Sequence, residues 1–522
     1  MRFRLALVSA ALLTAAVPAR AAWHEAKSKH FIIYADQKPD ELRQYAEKLE
    51  RFDKAVRYIR GMEDPELTDS GRVTIFILPD AESVGQLLGS FWVRGFYVST
   101  AEGSYAFVPR RSGITMTPGS SGGTGVVRDS LNSQQVFFHE YAHHLQLQDW
   151  AGAMPTWVSE GFAEFFATAE IDKTGSVIIG KFPSYRSWEV FLGGGLSADE
   201  MVSAEYDKLN FHEIAALYGR SWLLTHYLSL SANRKGQLNR YLDGIEKGMT
   251  PRDSGKAAFG DLKALQRELD DYIKPRSVLA FTVDAHVIPV GQVAVRPLNP
   301  GEAAIMGVRV RSKARVNDRT GPRVAAQARG VAAAYPNHTT VQSALAEAEF
   351  DAKNYAAAQA AADRALAADP NNVQALIYKG RAELELAKAK PGQADWDSIR
   401  SLFTRANKLD TENAQALALY YDSFAQAGHR PTANALDALL YAVDLAPRDQ
   451  YLRMKAVGAL LAANRLGDAK DLFAPVAYQP HLKKELRQAV EKVMTAIAAG
   501  DAKTATSLLE SAVLVAKKEE KD

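Results

Sequence analysis

His139-Glu140-Tyr141-Ala142-His143 reads H-E-x-x-H inside the helical-looking run Ser133–Gln148 of a 522-residue chain. Four residues are slightly more than one helical turn, so the two histidines project from one face and can offer two imidazole nitrogens to a single zinc ion. Glu140 stands beside them, where a carboxylate can take a proton from a water the ion activates. The chemistry implied is metal-assisted hydrolysis. A catalytic zinc needs a third protein ligand. The segment Trp157-Val158-Ser159-Glu160-Gly161-Phe162-Ala163-Glu164-Phe165-Phe166 reads as a second helix with acids four residues apart. Glu160 fits the missing ligand, and Glu164 can accept the other ring N–H of a ligand histidine and fix its tautomer; Glu164 as the ligand itself is the alternative. The surrounding aromatic residues make this an apolar segment, in which a carboxylate needs a partner. His144, His212 and His226 read as core or surface histidines.

These residues resemble the H-E-x-x-H…W-L-x-E-G-F-A signature of gluzincin metallopeptidases, in the peptidase-MA-like branch typified by the aminopeptidase N and leukotriene-hydrolase group. The resemblance implies a Zn2+ ion on His139, His143 and Glu160, with Glu140 as general base. It implies an α+β zincin-like catalytic domain, a mixed sheet plus helices. It also implies a tyrosine on a later helix that holds the developing oxyanion. Tyr218-Gly219-Arg220-Ser221-Trp222 resembles that context, so Tyr218 inherits the role, with Tyr227 in reserve. The G-x-M-E-N motif with which those aminopeptidases grip a free amino terminus is absent, and exopeptidase activity is not carried over. The resemblance spans residues 23–275 and is strong over 133–168 and 211–230. The expectation is a zinc metallopeptidase acting on a peptide or protein substrate. An inactive zincin-fold scaffold and a zinc amidase cleaving a cell-wall or other non-peptide amide are the rivals.

The elements that must position these residues can be read upstream. His30-Phe31-Ile32-Ile33-Tyr34 reads as a strand, Asp40–Ile59 as a helix and Val73–Leu78 as a buried strand, followed by a strand pair at Phe96–Ser99 and Ser104–Val108. The last strand is an edge on which an extended substrate could pair, or one the protein covers itself. Segment 110–130, with Gly119, Gly122, Gly123 and Gly125, reads as a loop near the site. Residues 211–273 read as helices that close a catalytic domain over 22–276. Residues 277–318, with Val293-Ala294-Val295 and Val308-Arg309-Val310, read as a small β-rich connector. Beyond it, over 319–522, Tyr335-Pro336-Asn337 recurs as Asp369-Pro370-Asn371 after 34 residues, the tetratricopeptide period. Leu345-Ala346, Ala358 and Ala365 fall at small or apolar consensus positions. This resembles an all-α tetratricopeptide-like solenoid, which implies a protein partner.

Met1-Arg2-Phe3-Arg4, the apolar run Leu5–Val17 and Ala19-Arg20-Ala21 have the layout of a cleavable signal peptide over 1–21. The expectation is a periplasmic or secreted protein without a stable membrane anchor. Removing Arg2, Arg4 and Arg20 turns 63 basic against 61 acidic residues into 60 against 61, a balance that gives no reason to expect nucleic acid as partner. With no cysteine in the chain, the fold relies on core burial and metal instead of disulfides.

Overall fold

The computed structural model describes residues 23–90, 93, 95–111, 115–118, 124–127, 133–150, 152–192, 196–274, 278–477 and 482–519. The expected signal peptide lies outside the described residues. The chain begins with β1 (His24–Lys27), β2 (Phe31–Ala35), α1 (Pro39–Arg60), β3 (Val73–Asp80), α2 (Ala81–Leu88), β4 (Phe96–Thr100) and β5 (Gly103–Arg111). A short antiparallel hairpin, β6 (Thr115–Pro118) and β7 (Thr124–Val127), follows. Part of segment 110–130 is therefore strand where a loop was expected, and β-branched Thr115, Thr117, Val126 and Val127 favour that extended backbone. Next come α3 (Ser133–Asp149), α4 (Thr156–Ala167), β8 (Glu170–Ile171), β9 (Val177–Ile179), α5 (Ala198–Val202), α6 (Phe211–Leu230), α7 (Gln237–Glu246), α8 (Pro251–Phe259), α9 (Leu262–Ile273), β10 (Phe281–Val283), β11 (Ala294–Pro297) and α10 (Pro300–Lys313).

The main sheet is mixed, in the order β11-β1-β2-β3-β5-β4. β2, β3 and β5 run parallel to one another, β1 and β4 run against them, and β11 pairs antiparallel with β1. The parallel centre is sandwiched, which is why β2 is buried along its whole length. One face packs on α1 and α3, joining Ile33 and Ile75 to Leu49, Phe52, Phe138 and Leu145. The other packs on α2 and α10, joining Ile32, Phe76 and Phe107 to Val84, Met306 and Val310. Helix α1 follows from Leu42, Ala46, Leu49, Phe52 and Val56 on one buried stripe, with Pro39 at its start and Gly61 in the left-handed conformation at its end.

Residues 277–318 are not a separate β-rich connector. β10 pairs with β9, and β11 pairs with β1 at the rim of the main sheet, where Arg296 sits opposite Glu25 and forms an ion pair with it. Val308-Arg309-Val310 lies in helix α10, which starts at an Asn299/Glu302 capping box. Its apolar residues alternate because the helix is buried on two sides: Met306 and Val310 meet the sheet, and Ile305 and Val308 meet the helices that follow.

Among the described residues that follow, the regular elements are helices: α11 (Gly321–Ala334), α12 (Thr339–Asp351), α13 (Tyr355–Ala368), α14 (Val373–Ala387), α15 (Trp396–Leu409), α16 (Ala414–Gln426), α17 (Ala433–Leu445), α18 (Gln450–Ala462), α19 (Leu466–Ala477), α20 (Lys484–Ala498) and α21 (Ala502–Glu519). The starts of α12 and α14 are 34 residues apart, and Leu345, Ala346, Ala358 and Ala365 are all buried between neighbouring helices. Between α14 and α15, Pro391–Gln393 forms a 3-10 turn. One face of this array holds the sheet. Arg381 and Gln415 donate to Glu102 in the β4–β5 turn at 2.6 and 2.9 Å, Asp449 accepts the Ala101 N–H at 2.9 Å, and Ser70 donates to Asp410 at 2.7 Å.

Beneath the sheet lies a buried polar cluster. His30 Nδ1 contacts Glu50 at 2.8 Å, Arg57 donates to Asp53 at 2.9 Å, and Tyr141 of α3 donates to Asp53 at 2.8 Å. His30, Asp53 and Asp64 are close enough together to suit a cation, but Arg57, Lys29 and Lys54 already face these carboxylates. Burial opposes protonation of His30, yet its hydrogen bond to Glu50 and the charges of Asp53 and Glu50 hold its pKa above the ordinary 6.5. Burial likewise opposes ionisation of Glu50, and the hydrogen bond and charge of His30 hold it below 4.5.

Two outcomes follow from this architecture. A chain ending at residue 276 loses β10, β11 and α10, so it should be insoluble or molten, whereas the full chain melts cooperatively; circular dichroism and a thermal scan measure this, and a cooperative melt of the short chain would refute it. The His30 contribution is present below about pH 6.5 and lost as pH rises through the raised folded pKa. That of Glu50 is present above about 4.5 and lost as pH falls through the lowered one. The thermal midpoint of the wild type should therefore fall from pH 6 to 9 more steeply than that of His30→Gln; parallel curves would refute this.

Candidate metal centre

Helix α3 has two faces. Phe138, Tyr141, Ala142 and Leu145 are buried against the sheet and α1, with Phe138 stacked on Phe52. His139 and His143 leave from the other side, half-buried. Helix α4 is buried over every residue, Thr156 to Ala167, as an all-round apolar sequence requires. Within it Glu160 and Glu164 are each only 1% exposed, so both need compensation. Gly161 sets how close α4 comes to α6: a Cβ there would lie 2.2 Å from Thr225 Oγ1 and 2.6 Å from the Ser221 carbonyl oxygen.

This packing brings three ligand atoms together. Glu160 Oε2 lies 3.4 Å from His139 Nε2 and 3.6 Å from His143 Nε2. Donors each about 2.0–2.2 Å from one tetrahedral ion stand roughly 3.3–3.6 Å apart, so two imidazoles and one carboxylate fit a divalent metal in both type and spacing. Glu164 Oε1 stands 3.6 Å from the other ring nitrogen of His139. It is fixed there by Tyr185, donating at 2.8 Å, and by Arg186 Nη2, donating at 2.8 Å. His143 Nδ1 contacts Ser159 Oγ at 3.3 Å, and that hydroxyl donates to Gln146. The tautomer satisfying both carries its proton on Nδ1 and turns the Nε2 lone pair toward Glu160.

The cluster attracts positive charge. Burial disfavours the His139 imidazolium, but its hydrogen bond to Glu160 and the charges of Glu164, Glu160 and Glu140 raise its pKa to about 9. Glu140 is half-buried; burial opposes its ionisation, while Arg448, His139 and His143 outweigh this and keep it anionic. His139, Glu140, His143, Glu160 and Tyr218 line one cavity of about 230 Å³, whose remaining wall includes Pro447, Arg448, Arg453 and Val476 from the helical array.

Tyr218 sits with its ring centroid 6.3 Å from that of His139, under Arg186 at 4.8 Å. Burial and the charge of Glu160 hold its hydroxyl pKa well above the phenol value, so it stays a donor. Tyr227 is elsewhere, donating to Glu268 at 2.8 Å. Nine residues along a helix turn a side chain through about half a revolution, which separates the two tyrosines. His144 is buried between Tyr97 and Gln148 and pushed down to about 3 by burial and by Arg448. His226 donates to the carbonyls of Gly180 and Leu279, and neither it nor His212 joins the cluster. Sequence reading missed Ser159, Tyr185, Arg186 and Arg448. Ser159 sits next to Glu160 and was legible in principle, whereas Arg448 is 308 residues from Glu140 and has no local signal.

His143→Ala and Glu160→Ala should each abolish stoichiometric divalent-metal binding, measured by competition with a chelating dye. Glu164→Ala should retain the metal with affinity reduced about 10–100-fold. Full metal occupancy in Glu160→Ala, or an unchanged dissociation constant in Glu164→Ala, would overturn the respective assignment.

Residues 136–247, which contain every one of these candidate side chains from α3, α4 and α6, match the model of a family described as a protein of unknown function (DUF1570). No curated protein matches the chain.

Proposed function

We propose that the chain is an exported zinc-dependent metallopeptidase of gluzincin type, with a zincin-like catalytic unit and a tetratricopeptide-like array. The observation that carries this reading is the meeting of His139, His143 and Glu160, with Glu160 within 3.6 Å of both imidazoles and all three ligand atoms within 4.8 Å of one another, in a cavity that also holds Glu140 and Tyr218. His139, His143 and Glu160 would hold the zinc ion, which when bound supplies Lewis acidity toward a carbonyl and acidifies water. Glu140 takes a proton from the water that attacks the scissile carbonyl and passes it to the leaving amine. The Tyr218 hydroxyl donates to the carbonyl oxygen as charge develops there, a contribution typically worth about 3–4 kcal/mol of barrier. Glu164 orients His139, Ser159 orients His143, and Pro447 and Val476 keep bulk water from one side of the cavity.

Export is supported by the basic and apolar start of the sequence; no helix among the described residues is long and apolar enough to cross a membrane. The face of the array that holds the β4–β5 turn is already occupied, so a protein partner would meet the array on another surface.

Glu140→Gln should keep metal and fold but reduce peptide hydrolysis by at least about 100-fold, because an amide cannot carry the proton. Tyr218→Phe should lower kcat with little change in KM, the mark of a group acting mainly in the transition state. Turnover of a peptide pool, read by mass spectrometry on zinc-loaded protein, tests both; wild-type rates in Glu140→Gln would end this mechanism.

A further inference from the structure

We infer that Arg448, supplied by the helical array, is the residue with which this site selects its substrates, by binding a peptide carboxylate close to the scissile bond. The inference rests on the peptidase reading above and adds a substrate class to it. Arg448 sits in the turn between α17 and α18, and the turn is anchored on both sides. Asp449 caps α18 by accepting the Leu452 N–H at 2.9 Å and, with its other oxygen, holds Ala101 at the end of β4. The Pro447 carbonyl accepts a hydrogen bond from the buried Arg453 at 3.0 Å. The guanidinium of Arg448 is therefore fixed over the site, 5.0 Å from the ring centroid of Tyr97.

Its engagement with Glu140 is partial. Nη1 donates to the Glu140 carbonyl oxygen at 3.3 Å, while Nη2 stands 3.6 Å from the carboxylate, beyond a good hydrogen bond. A guanidinium has five N–H donors in a planar fork suited to carboxylate, and this one remains 26% exposed. The cavity wall carries two acids, Glu140 and Glu160, and two arginines, Arg448 and Arg453. With a divalent ion on the histidines the balance is positive, so the site attracts an anionic group, and among the described residues no further acid in the wall is available to a free amino terminus. Arg448 and Gln450 also line a larger groove of about 830 Å³ between the β4 edge at Val98–Ala101 and the array. A peptide passing from that groove to Glu140 runs by Arg448. Because Glu140 must be within hydrogen-bond reach of the attacking water, a carboxylate on Arg448 belongs to a residue within one or two of the cleaved bond, consecutive Cα atoms being about 3.8 Å apart.

The test uses zinc-loaded full-length wild type, Arg448→Gln and Arg448→Lys with two kinds of matched peptide. One pair differs by Glu against Gln near the cleaved bond, the other by a C-terminal acid against its amide. Wild type should prefer the charged member of one pair by about 10–100-fold, mainly through KM. Arg448→Gln should erase that ratio and Arg448→Lys restore part of it; which pair shows the effect tells a side-chain carboxylate from a terminal one. A merely structural role would slow both members alike and leave the ratio intact. Equal turnover of charged and neutral peptides by wild type would overturn the inference and leave the peptidase reading standing. If no peptide is cleaved, that reading fails, and calorimetry of the same pairs still decides Arg448: tighter binding of the charged member, lost in Arg448→Gln, supports it, and equal binding overturns it.

Discussion

At Gly161 the space a side chain would need is filled by Thr225 and by the Ser221 carbonyl, and this close approach of α4 to α6 fixes Glu160 relative to Tyr218. Helices separated by a larger residue would stand farther apart, and Glu160 on one would no longer share a cavity with Tyr218 on the other. The same helix pairing buries Glu160 and Glu164 almost completely. Buried carboxylates are tolerated when they are paired, and each has its partners: the two histidines for Glu160, and Tyr185 with Arg186 for Glu164.

Helix α3 is held by different forces on its two sides. Toward the sheet it is anchored by apolar packing and by the Tyr141 hydroxyl on Asp53, within an ion-pair cluster that also ties β2 to α1. Toward the cavity it presents imidazoles that face acids and Ser159. A rigid back and a polar front suit a candidate metal-binding set, whose spacing would have to be held to about 0.5 Å.

The helical array is structurally part of the site. α10 closes the outer face of the sheet, β11 completes its rim, and the turn before α18 supplies one wall of the cavity. The array therefore contributes to the stability of the first unit and to the chemical character of its cleft, a closer relation than that of separable domains joined by a linker.

Much of the site was readable from the sequence because its signals are local. His139 and His143 share a face by helical spacing alone, Glu160 lies on the very next helix, and the strands at Phe31–Ala35 and Val73–Asp80 are short apolar runs bounded by turn residues. The 34-residue recurrence likewise reflects a repeated local unit. Tertiary structure decided the rest. Val308-Arg309-Val310 alternates like a strand but is a helix, since burial on two sides erases the one-sided periodicity by which a helix is recognised. Tyr218 and Tyr227 lie on the same helix, and only the packing of α6 determines which half faces His139 and Glu160. β11 joins a strand about 270 residues before it, and Arg448 reaches Glu140 from 308 residues away. Contacts so distant along the chain leave no spacing pattern, because they are fixed by how whole elements stack.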